Sequence, residues 1–198
     1  MEIAGPPGRL VTMTAEWYAD DIERVIFSAD DIAKKTAELG RQVSADYADT
    51  DGLLLVGVFK GAVMFMADFA RSLSVPVELE FMALSSYGQR ATSSGVVRIL
   101  KDLDRDIAGR HVLVVEDVVD SGLTLSWLLR YLNGRGPASL EVVSLIRKPE
   151  SMQVELPVKY VGFDMGQEFV VGYGMDYAEK YRELPFLGVL KPEVYSRG

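Results

Sequence analysis

A chain of 198 residues, 48% hydrophobic and 25% charged, can bury one sizeable core and has the composition of an ordinary globular domain. It contains no cysteine, which excludes a disulfide framework and any thiolate metal site and suits a reducing cytoplasm. A net charge of −8 lacks the basic footprint of a nucleic-acid binder, and no apolar run approaches the roughly 18 residues of a membrane span, so neither partner is expected.

Met1–Ala15, with two prolines and no basic stretch leading into an apolar one, reads as a flexible leader without a secretion signal, and 16–198 as a single domain. Ser28 followed by Asp31 is a variant of the capping box, and Ile32, Leu39, Val43 and Tyr47 then recur at near-helical spacing until Asp49–Gly52 stops the helix. Leu53–Val58 is a continuous apolar run of strand length, the pattern of a strand buried on both faces. Phe59-Lys60-Gly61 follows, and Ala62–Leu73 reads as a helix. Apolar residues from Val75 to Phe81 alternate with Glu78 and Glu80, which predicts a strand with one wet face. Ser85–Gly95 has no periodicity and is rich in Ser and Gly, a long flexible loop of the kind that serves as a lid. Val96–Leu100 reads as a returning strand, and the acids of Lys101–Asp106 as a solvated face. His111–Glu116 is a buried strand with its helix at Leu123–Leu132, ended by Asn133–Gly136. His111, the only histidine, begins that strand and is read as structural. Leu140–Ile146 is a further strand, and Tyr160–Phe163 and Phe169–Val171 are short apolar pieces. Strands alternating with helices predict an α/β fold with a mainly parallel central sheet flanked by helices.

The stretch Val112–Leu125 carries the chemistry. A buried strand ends in Glu116 and Asp117, a third acid follows at Asp120, and a Ser121-Gly122 turn leads into a helix. In open α/β sheets ligands sit beyond the carboxyl ends of strands. Backbone amides of Asp120, Ser121, Gly122, Leu123 and Thr124, with the hydroxyls of Ser121 and Thr124, form an anion site of phosphate size. Acids beside a phosphate would repel it unless they accept hydrogen bonds from sugar hydroxyls or help to hold a divalent cation. The composite ligand is therefore a sugar phosphate, with Asp120 close enough to the reaction centre to move a proton. Acids that merely cap a helix are the plainer reading, but one or two would suffice for that. A Walker-type nucleotide site is excluded by the lack of any G-x-x-x-x-G-K-[ST].

This segment resembles the phosphoribosyl pyrophosphate (PRPP) motif of the type I phosphoribosyltransferases. Val56–Arg71, Ser85–Gly88, Ser93–Asp104, Ser144–Pro149 and Glu168–Pro185 look like the matching pieces of the hypoxanthine-guanine branch, in order, over about Ile22–Leu190. The resemblance implies a small hood built from terminal segments and a Mg2+-dependent transfer of ribose 5-phosphate from PRPP to N9 of a 6-oxopurine, hypoxanthine or guanine. It also implies a homodimer or homotetramer. By the same resemblance Glu116 and Asp117 meet the ribose, and Asp120 is the general base for purine N7. Lys60 and Gly61 bind pyrophosphate across a cis Phe59–Lys60 bond, with Arg182 as a fixed fork. Ser86 and Tyr87 belong to the lid, Lys148 donates to purine O6, Phe169 stacks on the base, and Val170 offers backbone groups. Asp176, with Glu116 and Asp117, contacts Mg2+. Without the resemblance, Lys148 reads equally as a surface lysine and Phe169-Val170 as core, while a plain strand-to-helix turn with a surface Lys60 is the lesser alternative. The chain departs from a familiar family pattern at Gly166-Gln167-Glu168, where many members carry Pro-Asp-Lys; a Glu there should disfavour xanthine. The competing readings are a phosphoribosyltransferase for another base and a non-enzymatic PRPP-sensing regulator that binds RNA.

Overall fold

The computed structural model describes residues 17–86 and 97–196. Its elements run β1 (Ile22–Phe27), α1 (Ala29–Asp46), β2 (Leu53–Phe59), α2 (Val63–Ser72), β3 (Val77–Ser86), β4 (Val97–Lys101), β5 (His111–Val119), α3 (Leu123–Asn133), β6 (Ser139–Arg147), β7 (Tyr160–Asp164), β8 (Leu187–Leu190) and α4 (Pro192–Tyr195). Six strands form one sheet in the order β4-β3-β2-β5-β6-β7, parallel except for β4. β1 and β8 pair antiparallel in a separate two-stranded sheet, the hood expected from the terminal segments.

Burial explains the apolar runs. Leu53, Leu55, Leu113, Val115 and Val143 face α1 and α2 through Ile32, Leu39, Val43, Phe65 and Phe69. The alternate residues Leu54, Val56, Val112, Val114 and Val142 face α3 through Leu125, Leu128 and Leu132. Successive strand residues point to opposite faces, so a strand covered on both sides must be apolar throughout. At the start of α1 the Ser28 hydroxyl accepts from the Asp31 amide at 3.2 Å, and the Asp31 carboxylate accepts from the Ser28 amide at 3.0 Å, as the capping box predicts.

Three local expectations need correction. On β3 the alternation holds at Val77 and Phe81, which pack against the core, and at exposed Glu78, but fails at its middle, where Leu79 is 48% exposed and Glu80 only 8%. Glu80 is buried because Arg105 lies 3.7 Å from its carboxylate and Met82 continues its face into the core against α3. β3 also takes in Ser85 and Ser86, read from sequence as loop, because β4 pairs with them at Arg98 and Val97. Asp102 is not on a solvated face. It accepts from the Tyr131 hydroxyl at 2.5 Å and from Arg135 at 3.0 Å, which ties the end of β4 to α3. His111 is structural, as read, with Nδ1 2.8 Å from the Ser139 hydroxyl. Among the described residues, no helix is long and apolar enough to cross a membrane.

From β2 the chain proceeds through α2 to β3 on one side, and from β5 through α3 to β6 on the other. The order therefore reverses between β2 and β5, where a ligand crevice is expected. β2 and β5 pair only as far as Gly57 and Val115, whereas β5 runs on beside β6 to Val119. The sheet splits at that point, and the split opens onto the two acids.

Candidate functional site

β5 continues three residues past Glu116, so the two acids lie within the strand and not beyond it. Adjacent strand residues point to opposite faces, and here that rule sends the carboxylates into different cavities. Glu116 lines a cavity of about 230 Å3 with Val58, Leu84, Asp120, Ser121, Gly122 and Thr124. Asp117 lines one of about 320 Å3 with Gly61, Lys148, Phe169, Val170, Asp176 and Arg182. Asp120, on the turn between β5 and α3, borders both.

The first cavity is shaped by the turn. Gly122 caps α3 in the left-handed region at φ +76°, and a Cβ there would lie 3.1 Å from Val154 Cγ2. The Gln153 amide donates to the Ser121 carbonyl at 3.0 Å and holds the turn from outside. Leu123, expected among the phosphate contacts, does not line the cavity; its amide lies 3.5 Å from the Ser121 hydroxyl. Burial raises the Glu116 carboxyl well above its ordinary range, and the neighbouring Asp117 charge adds to the rise.

The second cavity gathers residues from distant segments. The Lys148 amide donates to the Val119 carbonyl at 2.9 Å, which brings the end of β6 against the end of β5. Lys148 is buried, not a surface lysine, and its Nζ donates to Asp120 Oδ2 at 3.3 Å. Phe169 is 48% exposed while Val170 is buried, so of this pair only the aromatic ring presents itself to solvent. The Phe59–Lys60 peptide is cis, as expected. Gly61 permits a close approach: a Cβ there would meet Asp117 Oδ2 at 1.8 Å, and one on Gly174 would meet the Gly61 carbonyl oxygen at 1.9 Å. Burial raises the Asp117 carboxyl; the Val118 amide and Arg182 oppose that, and Asp176 adds to it.

Arg182 donates to Asp176 at 2.7 Å and to the Gly174 carbonyl at 2.7 Å, while its buried Nε has no hydrogen-bond partner among the described residues. Lys60 is not part of the cavity lining; its Nζ pairs with Glu179 at 2.8 Å, and Glu179 in turn lies 3.5 Å from Arg182, which is. Glu179 carries no signal of its own in the sequence, where the charges of Met175–Pro185 read blandly as an acidic–basic helix face; the segment is instead a run of turns and isolated bridges. Glu168, at the rim, pairs with Arg24 of β1. The acids expected to share a cation are divided, with Glu116 in one cavity and Asp117 and Asp176 in the other. Among the described residues no group of three acids or histidines is assembled to hold a metal. Of the expected lid pair, Ser86 ends β3 and Tyr87 lies outside the described residues.

The phosphoribosyl transferase domain family matches residues 25–178 of the chain. A hypoxanthine-guanine phosphoribosyltransferase of Mycobacterium tuberculosis is 57% identical over 188 residues, covering 92% of this chain and 93% of that protein. Among solved structures, a hypoxanthine phosphoribosyltransferase from Staphylococcus aureus covers 92% of this chain and 98% of its own at 40% identity, with a TM-score of 0.88. The Trypanosoma cruzi hypoxanthine phosphoribosyltransferase in complex with the product IMP covers 88% of this chain and 97% of its own at 42% identity, with a TM-score of 0.83.

Proposed function

The chain belongs to the phosphoribosyl transferase family, in its hypoxanthine-guanine branch, and from that premise we propose how its residues divide the reaction. It is a purine-salvage enzyme that moves ribose 5-phosphate from PRPP to N9 of a purine base and releases pyrophosphate. The assignment of residues rests on one observation above the others: Asp120 borders both cavities. A group that handles a proton between sugar and base has to stand at such a junction.

In this account the 5′-phosphate occupies the turn Asp120–Thr124 on the α3 side, held by amides and by the Ser121 and Thr124 hydroxyls. Glu116 and Asp117 accept from the ribose hydroxyls. The purine lies over Phe169, with its pyrimidine-ring edge toward backbone groups of Val170. Lys148 turns from Asp120 to donate to O6, which selects oxo over amino purines because adenine would present a donor to a donor. Asp120, freed from Lys148, takes the N7 proton as C1′ passes from the leaving pyrophosphate to N9. Lys60, Gly61 and Arg182 bind that pyrophosphate, and the buried Arg182 Nε, without a hydrogen-bond partner among the described residues, is a donor in reserve for an anion. The lid, Ser86 and Tyr87, excludes water from the activated sugar.

The donor set suits Mg2+. Asp117 and Asp176 bring carboxylate oxygens to one cavity, and this hard cation commonly takes one or two carboxylates and completes its shell with substrate phosphates and water. When bound it neutralises charge on the departing pyrophosphate. Glu168 stands at the rim where many members carry a lysine, so the rim offers no lysine to xanthine, which is partly anionic at neutral pH, and we place hypoxanthine and guanine ahead of it; Arg24 of β1 pairs with Glu168 there. A homodimer or homotetramer is part of the proposal, supported by Leu79 and Leu100 standing exposed near the outer edge of the sheet; so is a cytoplasmic setting.

A panel of bases offered with PRPP and Mg2+ tests the reading. Hypoxanthine and guanine should give nucleotide and pyrophosphate, and chelation of the cation should stop both. Turnover confined to adenine, orotate or uracil would overturn it.

A further inference from the structure

Phe169 does not stand alone. Tyr177 meets it with centroids 6.2 Å apart and planes at 82°, and Tyr195 meets it at 6.0 Å and 79°. The two tyrosines meet each other at 5.1 Å and 78°. Three rings thus stand nearly perpendicular to one another, like the faces of a box corner, each pair in the edge-to-face arrangement that the ring quadrupole favours. Both tyrosines are fixed from elsewhere. Tyr177 is held in a tight turn by reciprocal backbone hydrogen bonds with Lys180, at 3.2 and 3.1 Å. Tyr195 ends α4, whose Val194 is buried in a cluster with Val171, two residues beyond Phe169.

We propose that Tyr195 is a positioning residue for the known reaction: it sets the Phe169 ring before the purine arrives. The proposal rests on the assignment of Phe169 as the base platform. A phenylalanine that is 48% exposed would otherwise sample several rotamers and lose that freedom on stacking, at a cost to affinity. Two fixed edges remove the cost in advance. The last turn of the chain thereby acts on base recognition without touching the base. The contact needs the ring of Tyr195 and not its hydroxyl.

Steady-state kinetics on the full chain test this. Tyr195→Ala should raise KM for hypoxanthine and guanine on the order of 3- to 10-fold, the range one aromatic pair supplies, with KM for PRPP and kcat unchanged. Tyr195→Phe should restore wild-type values. Tyr195→Leu, which keeps apolar volume without a ring, should behave like Ala and guards against a folding defect. In a Phe169→Ala background, Tyr195→Ala should add nothing. An unchanged base KM in Tyr195→Ala, a parallel rise in both KM values, or a Phe variant as impaired as Ala would overturn the proposal alone. A Phe169→Ala enzyme with normal base KM would instead remove the platform assignment, and this inference with it.

Discussion

The two cavities beside β5 are built in opposite ways. Most of the smaller one comes from a single stretch, Glu116 to Leu125, which bends so that neighbours in sequence surround one space. The larger draws on residues from Gly61, Asp117, Lys148, Phe169, Asp176 and Arg182, brought together only when the whole sheet and the strap after β7 have formed. A site of the first kind is a property of local geometry. A site of the second kind is a property of the fold, and it is more exposed to damage at a distance.

Substitutions can break or sharpen that contrast. The largest effect should come from Asp120→Asn, which touches both cavities. The fold should survive, and kcat should fall by about 10²- to 10⁴-fold, the usual share of a general base; near-normal turnover in a rapid assay of pyrophosphate release would remove Asp120 from the chemistry. Lys148→Ala should divide the cavities. KM for the base rises by about 10- to 100-fold, as for loss of a hydrogen bond from a charged donor, and KM for PRPP hardly moves. The reverse pattern would mean that the two cavities are assigned the wrong way round.

Gly122→Ala probes the local site. A left-handed residue with a Cβ costs about 1–2 kcal/mol, and the contact with Val154 adds to it. Denaturant titration should register that loss, and PRPP affinity should fall while base KM stays within about twofold. Glu116→Gln should give the smallest change and the opposite sign. A carboxyl raised by burial is the protonated form's ally, so its ionisation weakens the fold as pH climbs from 4.5 toward the raised value. The Gln variant without ligand should therefore melt higher than wild type at pH 8, with the gap closing by pH 4, and should bind PRPP more weakly. A gap that widens toward acid would show that Glu116 is stabilised as the anion.

The same contrast governs what could be read from sequence. The β5–α3 stretch was legible from residue chemistry, because an apolar run, three acids and a Ser-Gly turn lie in one window. The capping box at Ser28 was legible for the same reason. Lys148 and Phe169 were not; only the family resemblance drew them out, since a lone lysine and a lone aromatic carry no signal until the sheet places them. The exchange at Leu79 and Glu80 on β3 escaped because Arg105 and Met82, which draw Glu80 inward, lie outside the alternating window. The hood was expected only from the resemblance, since its strands give no signal of their own. Each is short, and one runs Glu23-Arg24-Val25 with all three exposed, which gives no buried period to detect. Tyr195 matters through a ring contact spanning the last part of the chain, and no spacing rule announces it.

The packing of Gly61 against Asp117 and of Gly174 against Gly61 has a bearing on how this protein can change over generations. Positions 61, 117 and 174 are packed as one unit, although more than half the chain separates the outer two. A single methyl group at Gly61 displaces the Asp117 carboxylate, and one at Gly174 displaces the Gly61 carbonyl. A library that varies one of these three positions alone should therefore fill with destabilised members, whereas one that varies all three together gives the packing room to adjust.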